Sequence, residues 1–188
     1  GRLDQAFGSR GSMLIDLSKD DRFKSMALRP DGRIVLAGNV KPDQLSRYCI
    51  MRVLPGGKFD PAFGNEGSVI LPIGIDQSYL EELKLLEDGS IIAGGNARIS
   101  HEDPGFDLAI VKLLPEGQWD PTFGNNGVSF QNLGGADYFG GMAVQEDQQL
   151  LIAGICGKDA HVFRIRGNGS RDRTYGKGGS CIISNESR

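Results

Sequence analysis

The sequence predicts an all-β chain built from three tandem four-stranded antiparallel units, and three observations carry that expectation. First, glycine is abundant: 28 of 188 residues, about twice the usual ~7%. No collagen period accompanies it, so the glycines mark many tight turns between short strands. Second, three short segments recur along the chain in the same order. Third, the apolar runs, such as Ile34–Gly38 and Leu108–Val111, are short and lack helical spacing.

The first recurring segment is Leu3-Asp4-Gln5-Ala6-Phe7-Gly8. It returns as Phe59-Asp60-Pro61-Ala62-Phe63-Gly64, as Trp119-Asp120-Pro121-Thr122-Phe123-Gly124 and, in worn form, as Arg171-Asp172-Arg173-Thr174-Tyr175-Gly176. The closing glycines lie 56, 60 and 52 residues apart, and a second glycine follows three residues on, at Gly11, Gly67, Gly127 and Gly179. The second segment runs from Pro30-Asp31-Gly32 through Ile34-Val35-Leu36-Ala37-Gly38. It returns at Glu87-Asp88-Gly89 through Gly95, and at Glu146-Asp147-Gln148 through Gly154, where Gln148 replaces the turn glycine. The third is an apolar strand with one cation, Arg52, Lys112 or Arg164, that ends in a glycine turn. Repeats of this length mean solenoids or propellers.

Each unit reads as four strands. In the first, residues 25–29 form a short strand and Pro30-Asp31-Gly32 turns the chain, since proline presets φ and glycine accepts positive φ. Residues 33–38 are apolar without alternation, so both faces are covered. Residues 48–54 and 67–72 complete the unit. The weak helical spacing from Tyr79 to Leu86 is read as strand, because its copies, Phe23–Leu28 and Phe139–Val144, fit no helix. A four-stranded meander covered on both faces by its own copies is a β-propeller blade. The expected organisation is one β-propeller domain over 1–188, with repeats at 3–58, 59–118 and 119–170 and a partial fourth copy at 171–188.

Together, the Leu-Asp-x-x-Phe-Gly-x-x-Gly pattern, the Pro-Asp-Gly-Arg-Ile-Val-Leu-Ala-Gly pattern and the apolar-cation-apolar strand resemble the bacterial delta-60 repeat β-propeller family. The resemblance covers the whole chain and departs at Gln148 and at Arg171–Tyr175. It implies tandem blades of exported or cell-surface proteins, hence an extracellular or surface location. It implies no settled activity and no catalytic residues to carry over, and no cofactor is expected.

In a meander, alternate connections fall at opposite ends of the blade. The Pro-Asp-Gly turn and the Asp-Pro-x-Phe-Gly connection share one end and hardly change between copies. At the other end the connections differ: Gly38 to Arg52, Gly95 to Lys112 and Gly154 to Arg164 are 14, 17 and 10 residues apart. Binding residues gather on loops held by a rigid scaffold. The candidate ligand-binding residues are therefore Asp21, Arg22, Phe23, Asp76, Tyr79, Arg98, His101, Glu102, Asp137 and Tyr138. An aromatic near the start of the innermost strand recurs as Phe23, Tyr79 and Tyr138 with Phe139, either around a ligand or wedged between blades.

Other residues read as structural. Asp4, Asp60, Asp120 and Asp172, like Asp31, Asp88 and Asp147, are expected to bond the backbone of their own turns. Arg52, Lys112 and Arg164 pair with a turn aspartate or face solvent. His101, Glu102 and Asp103 form a solvated loop without a second histidine at ligand spacing. Of the three cysteines, Cys49 and Cys156 read as buried thiols, and no pair has zinc-ligand spacing.

Composition excludes several classes. A net charge of −3 without a basic stripe argues against nucleic-acid binding. No apolar run is long enough to span a bilayer. No nucleophile elbow, P-loop or dinucleotide fingerprint occurs. The expected function is a non-catalytic binding or interaction module for a glycan or protein ligand. A lactonase-like, metal-dependent propeller hydrolase and a purely structural repeat are the alternatives. The hydrolase would draw on Lys24, Ser25, Glu81, Glu82 and Lys84 of the axial strands, which share no ligand pattern.

Propellers need about four to eight blades to close. Three blades imply either a homodimer completing a six-bladed ring or further blades of a longer chain. The strand after Phe-Gly-x-x-Gly is expected four times, at 12–17, 68–72, 128–131 and 180–184, with the first copy spare.

Overall fold

The computed structural model describes residues 1–102 and 105–183. The described residues contain twelve strands and no helix: β1 (Arg22–Leu28), β2 (Ile34–Val40), β3 (Arg47–Val53), β4 (Ser68–Leu71), β5 (Ser78–Leu85), β6 (Ile91–Ala97), β7 (Asp107–Leu113), β8 (Val128–Gln131), β9 (Asp137–Val144), β10 (Leu150–Cys156), β11 (Asp159–Ile165) and β12 (Ser180–Ile183). They form three antiparallel meanders, β1–β4, β5–β8 and β9–β12. These are three blades of an open propeller. The Tyr79–Leu86 stretch is strand β5 as far as Leu85, as its copies required.

The apolar strands have no inside-outside alternation because each blade packs on the next. Val35 and Ala37 of β2 and Tyr48 and Ile50 of β3 meet Leu80, Leu83, Ile91, Ala93, Ala109 and Val111 of the second blade. The opposite side chains of that blade, Ile92, Leu108 and Ile110, meet Met142, Leu150, Ile152, Phe163 and Ile165 of the third. Blade two is thus buried on both faces, each side chain adding about 1.5–3 kcal/mol if fully buried.

Phe63 of the first blade and Phe123 of the second sit at these seams. Each is followed by a glycine whose amide reaches the next blade. Gly64 N donates to the Glu116 carbonyl at 2.9 Å and Gly124 N to the Asn168 carbonyl at 2.8 Å. Both glycines have φ near +55°, and a Cβ at Gly124 would lie 2.0 Å from the Val128 carbonyl oxygen. No other residue fits there.

One expected strand is missing. Residues 12–17 form no strand, only bridges from Ser12 to Gly8 and Ser9. The three other copies pair with β3, β7 and β11 of their own blades. Residues 12–17 have no such partner strand, and strand propensity without a ladder is not enough. The preceding Phe7-Gly8 nevertheless docks as its copies do, with Gly8 N donating to the Gly56 carbonyl at 3.0 Å.

Candidate functional site

The two ends of the blades are built differently. At the turn end every motif aspartate bonds its own backbone. Asp4, Asp60, Asp120 and Asp172 accept from the amides of Ala6, Ala62, Thr122 and Thr174 at 2.9–3.1 Å. Asp31, Asp88 and Asp147 accept from Arg33, Ser90 and Gln149 N. The aligned cations pair with the motif aspartates: Arg52 with Asp60 at 2.8 Å, Lys112 with Asp120 at 2.9 Å and Arg164 with Asp172 at 2.6 Å. Arg52 also reaches the next blade, donating to the Pro115 carbonyl at 2.7 Å and pairing with Glu116.

These contacts hold the carboxylates ionised. The Thr122 hydroxyl and Lys112 bring Asp120 down to about 2. The Thr174 hydroxyl and Arg164 hold Asp172 well below the usual carboxylate range. Burial alone would raise Asp60, but the Ala62 amide and Arg52 keep it lowered.

Two further devices join the blades near the axis, and neither was read from the sequence. Asn39 donates to the Ser78 carbonyl at 2.8 Å and accepts from Leu80 N at 3.1 Å. Asn96 does the same to the Asp137 carbonyl and Phe139 N, at the same distances. The signal was an asparagine after Gly38 and after Gly95 in runs otherwise apolar: a buried amide must find partners. The second device is a side chain on the inner strand that accepts the next blade's amide. Ser25 Oγ accepts from Leu83 N at 3.1 Å, and Glu82 accepts from Met142 N at 2.7 Å.

The strand register corrects one expectation. Phe23, Leu80 and Phe139 face Gly38, Gly95 and Gly154, whereas Arg22, Tyr79 and Tyr138 face Asn39, Asn96 and Ile155. The recurring aromatic is therefore not one position but two. Phe139 wedges toward blade two, where a Cβ on Gly94 would lie 2.6 Å from its ring. Tyr138 is exposed, and Tyr79 packs edge-on to Phe106 at 5.5 Å with its hydroxyl on Gln77.

The remaining candidates at the loop end fall into two groups. Asp21 and Asp137 hold their own backbone: Asp21 accepts from Leu17 N at 2.6 Å and Ser18 N at 3.1 Å, and the buried Asp137 accepts from Leu133 N at 2.7 Å. Burial, and then Asp137, push the Cys156 thiol up to about 11. The other candidates line the rim. Arg22 pairs with Asp20 at 2.8 Å, and Arg98 with Asp76 at 3.1 Å. His101 and Glu102 are exposed, with Glu102 N bonded to the Ser100 hydroxyl. Asp103 lies outside the described residues. The structure does not draw these ten residues into one site.

It shows instead a cleft of about 500 Å³ at the loop end of blade one, lined by Leu17, Ser18, Lys19, Asp20, Lys41, Pro42 and Gln44. Asp20 stands between Arg22 and Lys41, 2.9 Å from the latter, and their hydrogen bonds lower its pKa. Gln44 adopts φ +71°, a left-handed conformation unusual for its type. Along the axis, Lys24 pairs with Glu81 and Lys84 with Glu82. Among the described residues, no group of three or more His, Cys, Asp and Glu side chains stands close enough to hold a metal ion.

The family model described as "Domain of unknown function (DUF5122) beta-propeller" matches residues 29–63 and 86–123. These are equivalent stretches of blades one and two, each from the end of the inner strand to the motif phenylalanine. The corresponding stretch of blade three, with Gln148 and Ile155, is outside the match. No curated protein matches the chain.

Proposed function

We propose that the chain is a non-catalytic binding module of a bacterial exported or surface protein, with its ligand, a glycan or a protein segment, held at the loop end of the blades. The observation that carries this reading is the contrast between the ends. The turn end repeats the same aspartate-backbone and aspartate-cation bonds in each blade. The loop end places different side chains on loops of different length above the same strands. A rigid scaffold with unlike loops is the arrangement on which binding residues are usually mounted. The cleft between Asp20, Lys41 and Gln44 offers a carboxylate, an ammonium and an amide within one concave surface, a donor and acceptor set suited to hydroxyl-rich or peptide ligands. Glu81 and Glu82 are each engaged with a lysine, which favours this reading over a metal-dependent hydrolase at the axis.

The test is a printed glycan array and an immobilised peptide library, probed with the full chain and with Lys41→Ala and Tyr138→Ala variants. The expected result is a ligand class retained by the parent and lost by at least one variant, with the circular-dichroism spectrum unchanged. Binding that survives replacement of the whole 41–46 loop and of Tyr138 contradicts the reading.

A further inference from the structure

The seams inside this chain define what each blade face expects to meet, and two faces lack it. On blade one, Met26 and Leu28 pair across the sheet with Leu36 and Ile34. The equivalents of Met26 in the other blades, Leu83 and Met142, are 2% and 7% exposed, because the preceding blade covers them, and those of Leu28, Leu85 and Val144, are partly buried. Met26 and Leu28 are 73% and 70% exposed. On blade three, Leu150, Ile152 and Phe163 point into the seam with blade two. Strand alternation sends Leu151, Ala153, Ile155, Val162 and Ile183 to the opposite, uncovered face. Ile155 and Ile183 are exposed there, as is Cys181.

The docking motif is likewise unequally used. Phe63-Gly64 sits on the Gly117 turn of blade two and Phe123-Gly124 on the Gly169 turn of blade three. Tyr175-Gly176 has the same left-handed glycine, φ +58°, but among the described residues its amide meets no such turn. Among the described residues, the one turn of this type not taken by a neighbouring blade is at Gly57 of blade one. It is held by Phe7-Gly8: a Cβ on Gly57 would lie 2.5 Å from Gly8 N and 3.2 Å from the Phe7 ring.

From this complementarity we infer that the open face of blade three docks on blade one of a second copy of the chain, and that residues 3–11 compete with the partner copy for the Gly57 turn. Two such contacts related by a two-fold axis close a ring of six blades. Closure requires each Phe7-Gly8 to leave its turn and the partner's Tyr175-Gly176 to replace it. The contact is also built to be weaker than the internal seams. Ile155 stands where Asn39 and Asn96 make their paired bonds, and Gly141 follows the inner-strand bulge where Ser25 and Glu82 supply an acceptor. Neither polar link forms at the third face, so the association is reversible. The inference does not depend on which ligand the loop end takes.

Sedimentation equilibrium of the full chain over a wide concentration range tests this. The parent is expected to pass from one copy to two as concentration rises. Gly8→Pro, which cannot adopt the left-handed φ and has no amide hydrogen, frees the Gly57 turn and lowers the midpoint concentration by about tenfold or more. An excess of a peptide of residues 1–17 reverses that gain. Ile155→Asn, at an exposed position, restores the pair of bonds to Phe23 N and the Asp21 carbonyl of the partner and tightens association by about tenfold. This variant is decisive even if Gly8→Pro unfolds. Nonspecific apolar association would weaken when an exposed isoleucine becomes asparagine, so a weaker or unchanged Ile155→Asn dimer overturns the geometry. A mass of one copy for the parent and every variant at all concentrations overturns the second copy as occupant. A folded Gly8→Pro with the parent's midpoint overturns the competition by residues 3–11.

Discussion

At the turn end of the propeller Asp60, Asp120 and Asp172 do one job three times. At the loop end the aligned residues Arg22, Tyr79 and Tyr138 do three different things: one pairs with Asp20, one packs on Phe106 and one lies open to solvent. The difference teaches where this chain spends its sequence on stability and where it leaves side chains free. A motif aspartate bonds its own turn and the cation of its own blade, and through Arg52 it also supports the carbonyl and carboxylate of the next blade. Few substitutions can preserve all of those bonds. A rim side chain touches one neighbour or none.

The largest expected effect is at the turn end. Asp60→Ala removes the carboxylate from Arg52, which is buried in its blade. Breaking a buried pair on one side costs about 3 kcal/mol or more, read as a shift in the urea midpoint. Acid is expected to act at the same place. Asp60, Asp120 and Asp172 all have folded pKa values below their unfolded value, near ~3.9, with Asp120 at about 2. A lowered folded pKa stabilises the fold at higher pH, so this contribution is complete above about pH 4 and is lost as pH falls toward ~2. Thermal melts between pH 5 and 2 should fall steeply in that window, and Asp120→Asn should flatten part of the fall.

A smaller effect separates blade three from the others. Gln148 occupies the turn position of Gly32 and Gly89 with φ +63°, where the glycines have +79° and +83°. Gln148→Gly should stabilise the chain by about 0.5–1 kcal/mol, relief of the left-handed strain being partly offset by greater unfolded-chain entropy. The smallest change in stability is expected at the loop end. Tyr138→Ala should stay within about 0.5 kcal/mol of the parent by urea denaturation. A loss as large as that for Asp60→Ala would erase the distinction between the two ends.

Much of this architecture was readable from the sequence because repetition multiplies a weak signal. Three in-phase markers located the strands to within a few residues, and the turn aspartates follow from the chemistry of Asp-x-Gly and Asp-Pro segments. What repetition does not encode is pairing. Residues 12–17 carry the same pattern as β4, β8 and β12 but form no strand, because a strand is a property of two segments. The asparagine links at Asn39 and Asn96 were visible as polar residues in apolar runs, yet their partners lie on another blade. At the loop end Asp21 and Asp137 stand out in the sequence, yet both hold their own loops. Asp20 and Gln44 line the cleft but have no like residue in the other copies, so no repeated pattern marks them.

The face-to-face stacking of blades through the repeated Phe-Gly motif is tested most directly by amide hydrogen exchange at four glycines, resolved by NMR at a concentration where the chain is a single copy. Gly8, Gly64 and Gly124 donate to the carbonyls of Gly56, Glu116 and Asn168, whereas among the described residues Gly176 meets no following blade. Strong protection at Gly64 and Gly124, measurable protection at Gly8 and fast exchange at Gly176 is the predicted order. Gly64 and Gly124 exchanging as fast as Gly176 would contradict it.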